Sequence, residues 1–160
     1  MKTLIVSLLF LSYSMYTFAQ DGNLDDTFGV NGKVTTDFFG FTDVAHDLAY
    51  QNDGKMLVAG YSRNSVGNDN FLVARYLVNG DLDTSFGTNG YVNIDVRGYS
   101  TPKDDQATNV LIQSDGKIVL VGFSEGAFDV EQFTTMRLNS DGSLDETYGD
   151  QGIRFFDFTG

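Results

Sequence analysis

Residues 80–92 read GDLDTSFGTNGYV, and this stretch occurs almost three times in the chain. Residues 22–34 read GNLDDTFGVNGKV, and residues 142–154 read GSLDETYGDQGIR. Measured between these segments, the first copy of the unit is 58 residues long and the second is 62. The difference falls in one place. Asp37 to Asp53 is 16 residues and Asp95 to Asp115 is 20, so four residues are inserted around 97–104 (RGYSTPKD). Elsewhere the register is strict: Gln51-Asn52-Asp53-Gly54-Lys55 matches Gln113-Ser114-Asp115-Gly116-Lys117, Gly60 matches Gly122, and Arg75 matches Arg137. The chain thus divides into repeats at 22–79 and 80–141 and a partial repeat at 142–160. Self-similarity at such a period is the mark of stacked supersecondary units.

Within one repeat, four apolar segments of strand length are separated by turn chemistry. In the first copy they are 33–39 (KVTTDFF), 44–51 (VAHDLAYQ), 55–62 (KMLVAGYS) and 70–78 (NFLVARYLV). They are rich in Val, Phe, Tyr and Leu, and none sustains a helical period. Asn52-Asp53-Gly54 and Ser114-Asp115-Gly116 are hairpin signals, because Gly supplies the positive φ that such turns require. The polar loop 63–69 (RNSVGND) reads as a surface connection. Phe71, Val73 and Leu77 fall on one face of the fourth segment, while Leu72, Ala74, Tyr76 and Val78 fall on the other. A strand apolar on both faces needs cover on both sides.

Four-stranded antiparallel sheets stacked face to face meet that need, and a ring of them is a β-propeller. The fold class is therefore all-β with β-propeller-type blades: about two complete repeats plus the first strand of a third, 153–158 (IRFFDF). A β-solenoid or a sandwich is the alternative, although a sandwich should show cleaner polar alternation. In this reading 80–90 joins the last strand of one blade to the first strand of the next, 91–97.

The repeated positions carry assignable structural roles. Gly29, Gly87 and Gly149, with Gly32, Gly90 and Gly152, read as backbone turn requirements. Phe86 reads as an apolar plug between sheets at the position that Phe28 and Tyr148 share, and Leu24, Leu82 and Leu144 are further repeated positions. Asp81 and Asp83 read as acceptors that lock the turn. Arg75 and Arg137 lie inside apolar strands, and a buried guanidinium must be paired. The repeated carboxylates available are Asp25, Asp83 and Asp145 from the linking segment, and Asp37 and Asp95 at first-strand ends. A structural ion pair is the preferred reading over a ligand contact.

The combination G-x-L-D-x-x-F-G-x-x-G-x-V, then Q-x-D-G-K, a V-A-G-Y segment and A-R-Y resembles the delta-60 repeat family of bacterial secreted proteins. It rests on Gly80-Asp81-Leu82-Asp83 with Phe86-Gly87, on Gln51 with Asp53-Gly54-Lys55, and on Ala74-Arg75-Tyr76, and it covers essentially all of 22–160. The second copy departs modestly at Thr135-Met136-Arg137-Leu138, and the third has Tyr148 for Phe. The resemblance implies a β-propeller architecture and export. It implies no enzymatic activity.

The first nineteen residues read as a secretory signal. Lys2 gives a basic start, 4–11 (LIVSLLFL) an apolar core, and 12–19 (SYSMYTFA) a cleavage site with small residues at Thr17 and Ala19. The apolar run falls short of the roughly twenty residues needed to span a bilayer. Cutting after Ala19 leaves Gln20 first and 141 of the 160 residues. The absence of cysteine excludes disulfide staples, thiolate metal sites and a lipid-anchored cysteine. Without Lys2, 9 Lys+Arg stand against 22 Asp+Glu, a net charge of −13 that repels nucleic acid and anionic membrane surfaces. The expected address is the cell exterior or the periplasm.

No catalytic constellation emerges. Oxygen donors alternate at Asp21, Asn23 and Asp25, at Asn79, Asp81 and Asp83, and at Asn139, Asp141, Ser143 and Asp145. An EF-hand would need Gly at the sixth position and Glu at the twelfth. Counted from Asp21, Asn79 or Asp141, the sixth residue is Asp26, Thr84 or Glu146 and the twelfth is Gly32, Gly90 or Gly152. Asx-type turns explain the pattern better than calcium. His46, whose counterpart is Thr108, lacks partners for a zinc site or a triad and reads as an ordinary strand residue. The carboxylate pairs Asp25/Asp26 and Asp104/Asp105 are sequence neighbours that should point apart, not converge as a glycosidase requires. Binding residues favour variable loops on a rigid scaffold, which singles out 63–69 and the insertion, with Arg97, Tyr99 and Lys103 as the ligand-binding candidates.

The leading functional expectation is a secreted, non-catalytic module that binds a protein or glycan, with no cofactor or metal. The alternatives are part of a propeller hydrolase or lyase with its catalytic residues on other blades, and calcium-stabilised repeats of a surface adhesin. Closed propellers have four to eight blades, so the partners expected are the remaining blades of a longer chain or further copies of this one. The 141-residue chain should accordingly not behave as a monomer, and a sharp monomeric mass in light scattering would contradict this.

Overall fold

The computed structural model describes residues 22–98, 103–126 and 130–156. The signal reading (1–19) and Tyr99 lie outside these residues. Among the described residues there are eight strands and no helix: β1 (Asp43–Tyr50), β2 (Met56–Arg63), β3 (Asp69–Tyr76), β4 (Tyr91–Ile94), β5 (Asp105–Ile112), β6 (Ile118–Glu125), β7 (Glu131–Leu138) and β8 (Ile153–Phe156). They form two four-stranded antiparallel sheets, β1-β2-β3-β4 and β5-β6-β7-β8. Each strand of the second sheet starts 62 residues after its counterpart in the first. This is the all-β architecture of two β-propeller blades.

The sheets are out of phase with the sequence repeat by one strand. β4 opens the second repeat, yet it pairs antiparallel with β3 of the first, from Phe71↔Ile94 to Ala74↔Tyr91. β8 opens the third repeat and pairs with β7 in the same register, from Phe133↔Phe156 to Met136↔Ile153. The segment 80–90 therefore returns the chain to its own sheet and does not lead into the next one. The expected first strand of the first copy, 33–39, is not a strand. Its only pairings among the described residues are isolated bridges from Lys33 to Gly29 and Val30. A strand exists only where another supplies its hydrogen-bond partners. β4 and β8 have β3 and β7, whereas 33–39 has no such neighbour among the described residues.

The remaining segments of the first repeat form strands within two residues of their expected limits, and β4 ends three residues before the expected limit at 97. Gly54 and Gly116 close the β1–β2 and β5–β6 hairpins at φ of 84° and 83°, and each amide donates to the carbonyl of Gln51 or Gln113. β1 and β5 carry the same bulge, between Ala45 and Asp47 and between Ala107 and Asn109. Gly60 and Gly122 lie opposite these bulges, where a Cβ would overlap the carbonyl oxygens of Val44 and Gln106. The bulge, not a positive φ, is what demands glycine there.

The core lies between the sheets. Leu57, Ala59, Phe71 and Val73 of the first sheet meet Ala107, Val110, Ile118, Leu120, Met136 and Leu138 of the second. Phe86 and Val96 complete this cluster. β3 is buried at every position, as its two apolar faces required. On its far side Tyr76 is capped by the hydroxyl of Thr36, at 2.8 Å. At the innermost strands, His46 Nδ1 meets the Ala107 carbonyl at 2.9 Å, and the Val110 amide donates to Asp47 Oδ2 at 2.9 Å. These two contacts stitch β1 to β5 across the sheets.

Candidate functional site

The strands end at two poles that differ in chemistry. One pole holds the hairpin turns and the linking segments 80–90 and 142–152; the other holds the loop after β2 and the described residues that flank the insertion, 95–98 and 103–104.

At the first pole the linking segment folds on itself through an Asx turn. The Ser85 amide and hydroxyl donate to Asp83 Oδ1 at 3.1 and 2.6 Å. The Thr147 amide and hydroxyl do the same to Asp145 Oδ1 at 3.1 and 2.7 Å. The Asp83 amide in turn donates to the Arg75 carbonyl, and the Arg75 amide to the Gly90 carbonyl, both at 2.9 Å. Gly87 turns the chain at a φ of 52°, where a Cβ would strike the backbone of Tyr91.

The second oxygen of each aspartate collects two cations. Arg75 Nε lies 2.8 Å and Lys55 Nζ 3.0 Å from Asp83 Oδ2. Arg137 Nε and Lys117 Nζ lie 2.6 and 2.7 Å from Asp145 Oδ2. Of the repeated carboxylates open to the arginines, the structure brings in Asp83 and Asp145. The lysine of Q-x-D-G-K is the member that sequence reasoning missed. Its signal was a fixed 28-residue spacing from Lys55 to Asp83 and from Lys117 to Asp145. The guanidinium carbons of Arg75 and Arg137 stand 4.6 Å from the rings of Phe86 and Tyr148. Arg75 also donates to the Ser140 carbonyl at 2.7 Å, which ties one repeat's cluster to the next linking segment.

Asp83 and Asp145 are both held well below the usual carboxylate range. For Asp83 the largest cause is the Ser85 hydroxyl, and burial opposes it. For Asp145 it is the Lys117 ammonium, then the Thr147 hydroxyl, with burial again opposing. Such carboxylates stay charged at neutral pH and have no proton to exchange. Every strong group in the cluster is engaged within it. Its chemistry is that of a clamp.

The outer turns follow the Asx reading. The Asp81 amide donates to Asn79 Oδ1 at 3.1 Å, and Asp81 itself accepts from the Asn79 side chain at 2.8 Å. Ser143 donates its amide and hydroxyl to Asp141 Oδ1, and the Lys55 amide donates to Asp53 Oδ1.

The second pole is polar and irregular. Arg63 forks onto Asp69 at 2.7 and 3.1 Å, and Gln106 adds a donor to the same carboxylate. Asp104 accepts the Asp69 amide at 3.3 Å, whereas Asp105 accepts the Val96 amide at 2.8 Å. This neighbouring pair does point apart. Burial pushes the Asp105 carboxyl up to about 7, and Asp95 and Asp104 add to the shift. Among the ligand-binding candidates, Arg97 donates to Ser124 and Gln132 and stacks 3.8 Å over the Phe155 ring. Lys103 is half-buried.

A family model described as "Domain of unknown function (DUF5122) beta-propeller" matches residues 51–86 and 113–148. Each match begins at the hairpin glutamine and ends at the ring beneath the arginine. The matched stretch is thus the one that builds the clamp, and these two segments are β-propeller repeats. No curated protein matches the chain.

Removing one partner of a buried ion pair costs about 3–5 kcal/mol, because it strands the other charge. Arg75→Ala should therefore lower the urea-unfolding midpoint strongly or abolish cooperative folding. Arg137→Ala should cost less, since that side chain is 22% exposed against 8% for Arg75. An Arg75→Ala chain with an unchanged midpoint would overturn the clamp.

Proposed function

We propose that this chain is a secreted, non-catalytic β-propeller segment of the delta-60 type. It presents the irregular pole of its blades to a protein or glycan at the cell exterior. The observation that carries the reading is the division of labour between the poles. At the linking pole the repeated lysine, arginine and aspartate are spent on the clamp. At the opposite pole the loop after β2 and the insertion after β4 differ in sequence between repeats, around a repeated frame in which Asp43 and Asp105 accept the Phe38 and Val96 amides. There the start of β3, Asp104 at the end of the insertion and the end of β6 adjoin. Asp104 takes the Asp69 amide, and its own amide donates to Glu125 at 3.3 Å. Variable loops on a rigid scaffold are where binding residues concentrate. The tripartite leader in 1–19 supports export, and the strongly acidic surface fits a protein that stays in solution there.

The test replaces 97–104 by FGFT, the four residues (39–42) that occupy this place in the first repeat. The mature chain should retain components of a glycan array or a cell-envelope fraction, and the replaced chain should lose them while still unfolding cooperatively. Retention that survives the replacement would contradict the reading, as would chemical turnover of the retained glycan.

A further inference from the structure

At the irregular pole one buried carboxylate is at odds with its surroundings. Asp105 opens β5, is 1% exposed, and reaches across to the first sheet. Its Oδ2 accepts the Val96 amide at 2.8 Å, just past the end of β4. Its Oδ1 is equally enclosed and has no hydrogen-bond partner among the described residues. An ionised carboxylate is an acceptor on both oxygens, and burying it short of donors is costly.

The charges around it add to that cost. Asp104 precedes Asp105 in the chain, and Asp95 follows β4. Asp69 of β3 and Glu125 of β6 complete the group, since Asp104 accepts the Asp69 amide and donates its own amide to Glu125. The cations of this pole are Arg63, Arg97 and Lys103. Arg63 is forked onto Asp69, and Lys103 precedes Asp104 in the chain. Arg97 favours the charged form of Asp105, but its guanidinium is engaged with Ser124, Gln132 and the Phe155 ring. Burial is the largest influence on the Asp105 carboxyl and outweighs the Val96 amide and Arg97, which pull the other way.

The same contact anchors part of the core. Val96 is tied by its amide to Asp105 and places its side chain, 8% exposed, in the cluster between the sheets. A neutral Asp105 carries its proton on Oδ1 and still accepts the Val96 amide on Oδ2, so no charge is buried. An ionised Asp105 must draw in water or withdraw from the boundary, and either change loosens Val96. We propose that Asp105 and Val96 form a proton-operated latch between the two sheets, closed while the carboxyl is neutral and released as it ionises. The latch is independent of what this pole binds.

The sign follows from the direction of the shift. A carboxyl raised to about 7 by folding stabilises fully below its unfolded value of about 3.9, and that contribution is lost as pH rises through about 7. Asp83 and Asp145, held low, lose their contribution only as pH falls into the acid range, so a window from about pH 5.5 to about pH 8.5 separates the latch from the clamp. The mature chain and Asp105→Asn are unfolded in urea across that window. Through this group the folding equilibrium constant of the mature chain should fall about thirty-fold, and Asp105→Asn should lack that component. His46 is common to both chains and cancels in the comparison. Two measurements need only the mature chain. Amide protection at 94–97, corrected for intrinsic exchange, should fall as pH rises, and the infrared band of a protonated carboxyl should disappear with a midpoint near 7. Asp104→Asn, which removes a repelling charge, should move that midpoint down. Equal pH dependence in the mature chain and Asp105→Asn would overturn the proposal. So would the absence of a protonated-carboxyl band at about pH 6, or protection at 94–97 that does not change across the window.

Discussion

A carboxylate buried beside two cations governs this structure. Asp83 is 6% exposed and cannot be buried as a charge without compensation, so Lys55, Arg75 and the Ser85 turn must all reach it. Lysine comes from the turn that leads into β2, arginine from β3 and aspartate from the segment after β3. Once these three meet, the linking segment is pinned against the end of β3. The chain that leaves it has only one place to go: back along β3 as β4. The clamp thus decides which sheet owns the fourth strand, and the second clamp at Asp145 repeats that decision for β8.

This explains why some features were legible in the sequence and others were not. The strands of the two sheets followed from apolar segments and Asp-Gly turns, since those signals are local. That Arg75 would meet a repeated carboxylate followed from the cost of a buried guanidinium; that this carboxylate is Asp83 did not. The phase of the sheets did not follow, because a period gives the length of a unit and not the point where it starts. The failure of 33–39 to form a strand was equally hidden: its sequence resembles that of β4, and only the absence of a β3-like neighbour separates them. Lys55 escaped notice because an exposed lysine in a turn motif is the commonest of residues. His46 escaped because a backbone carbonyl on another sheet leaves no trace in sequence.

The sheets also show how this repeat sustains a core without disulfides or metal thiolates. Each blade is apolar on both faces and gains cover from the next one, as Phe71 and Val73 do from the second sheet. Stacked repeats are stable only through such neighbour contacts. The arginine adds a second connection, since Arg75 reaches beyond its own clamp to the Ser140 carbonyl. Packing, fourth-strand pairing and the clamp therefore act on the same boundary. At the opposite pole Asp69, Asp104 and Arg97 add polar contacts between the two sheets.

The central claim is that the fourth strand of each sheet is lent by the following repeat and fixed there by the clamp. Peptide-level hydrogen exchange on the mature chain tests it most directly. The account predicts that peptides covering 91–94 and 153–156 are protected to a degree approaching β3 and β7, while the equivalent peptide at 33–39 exchanges much faster. Equal exchange in all three would contradict it, because the three segments would then share one environment and the offset sheets could not be the folded state.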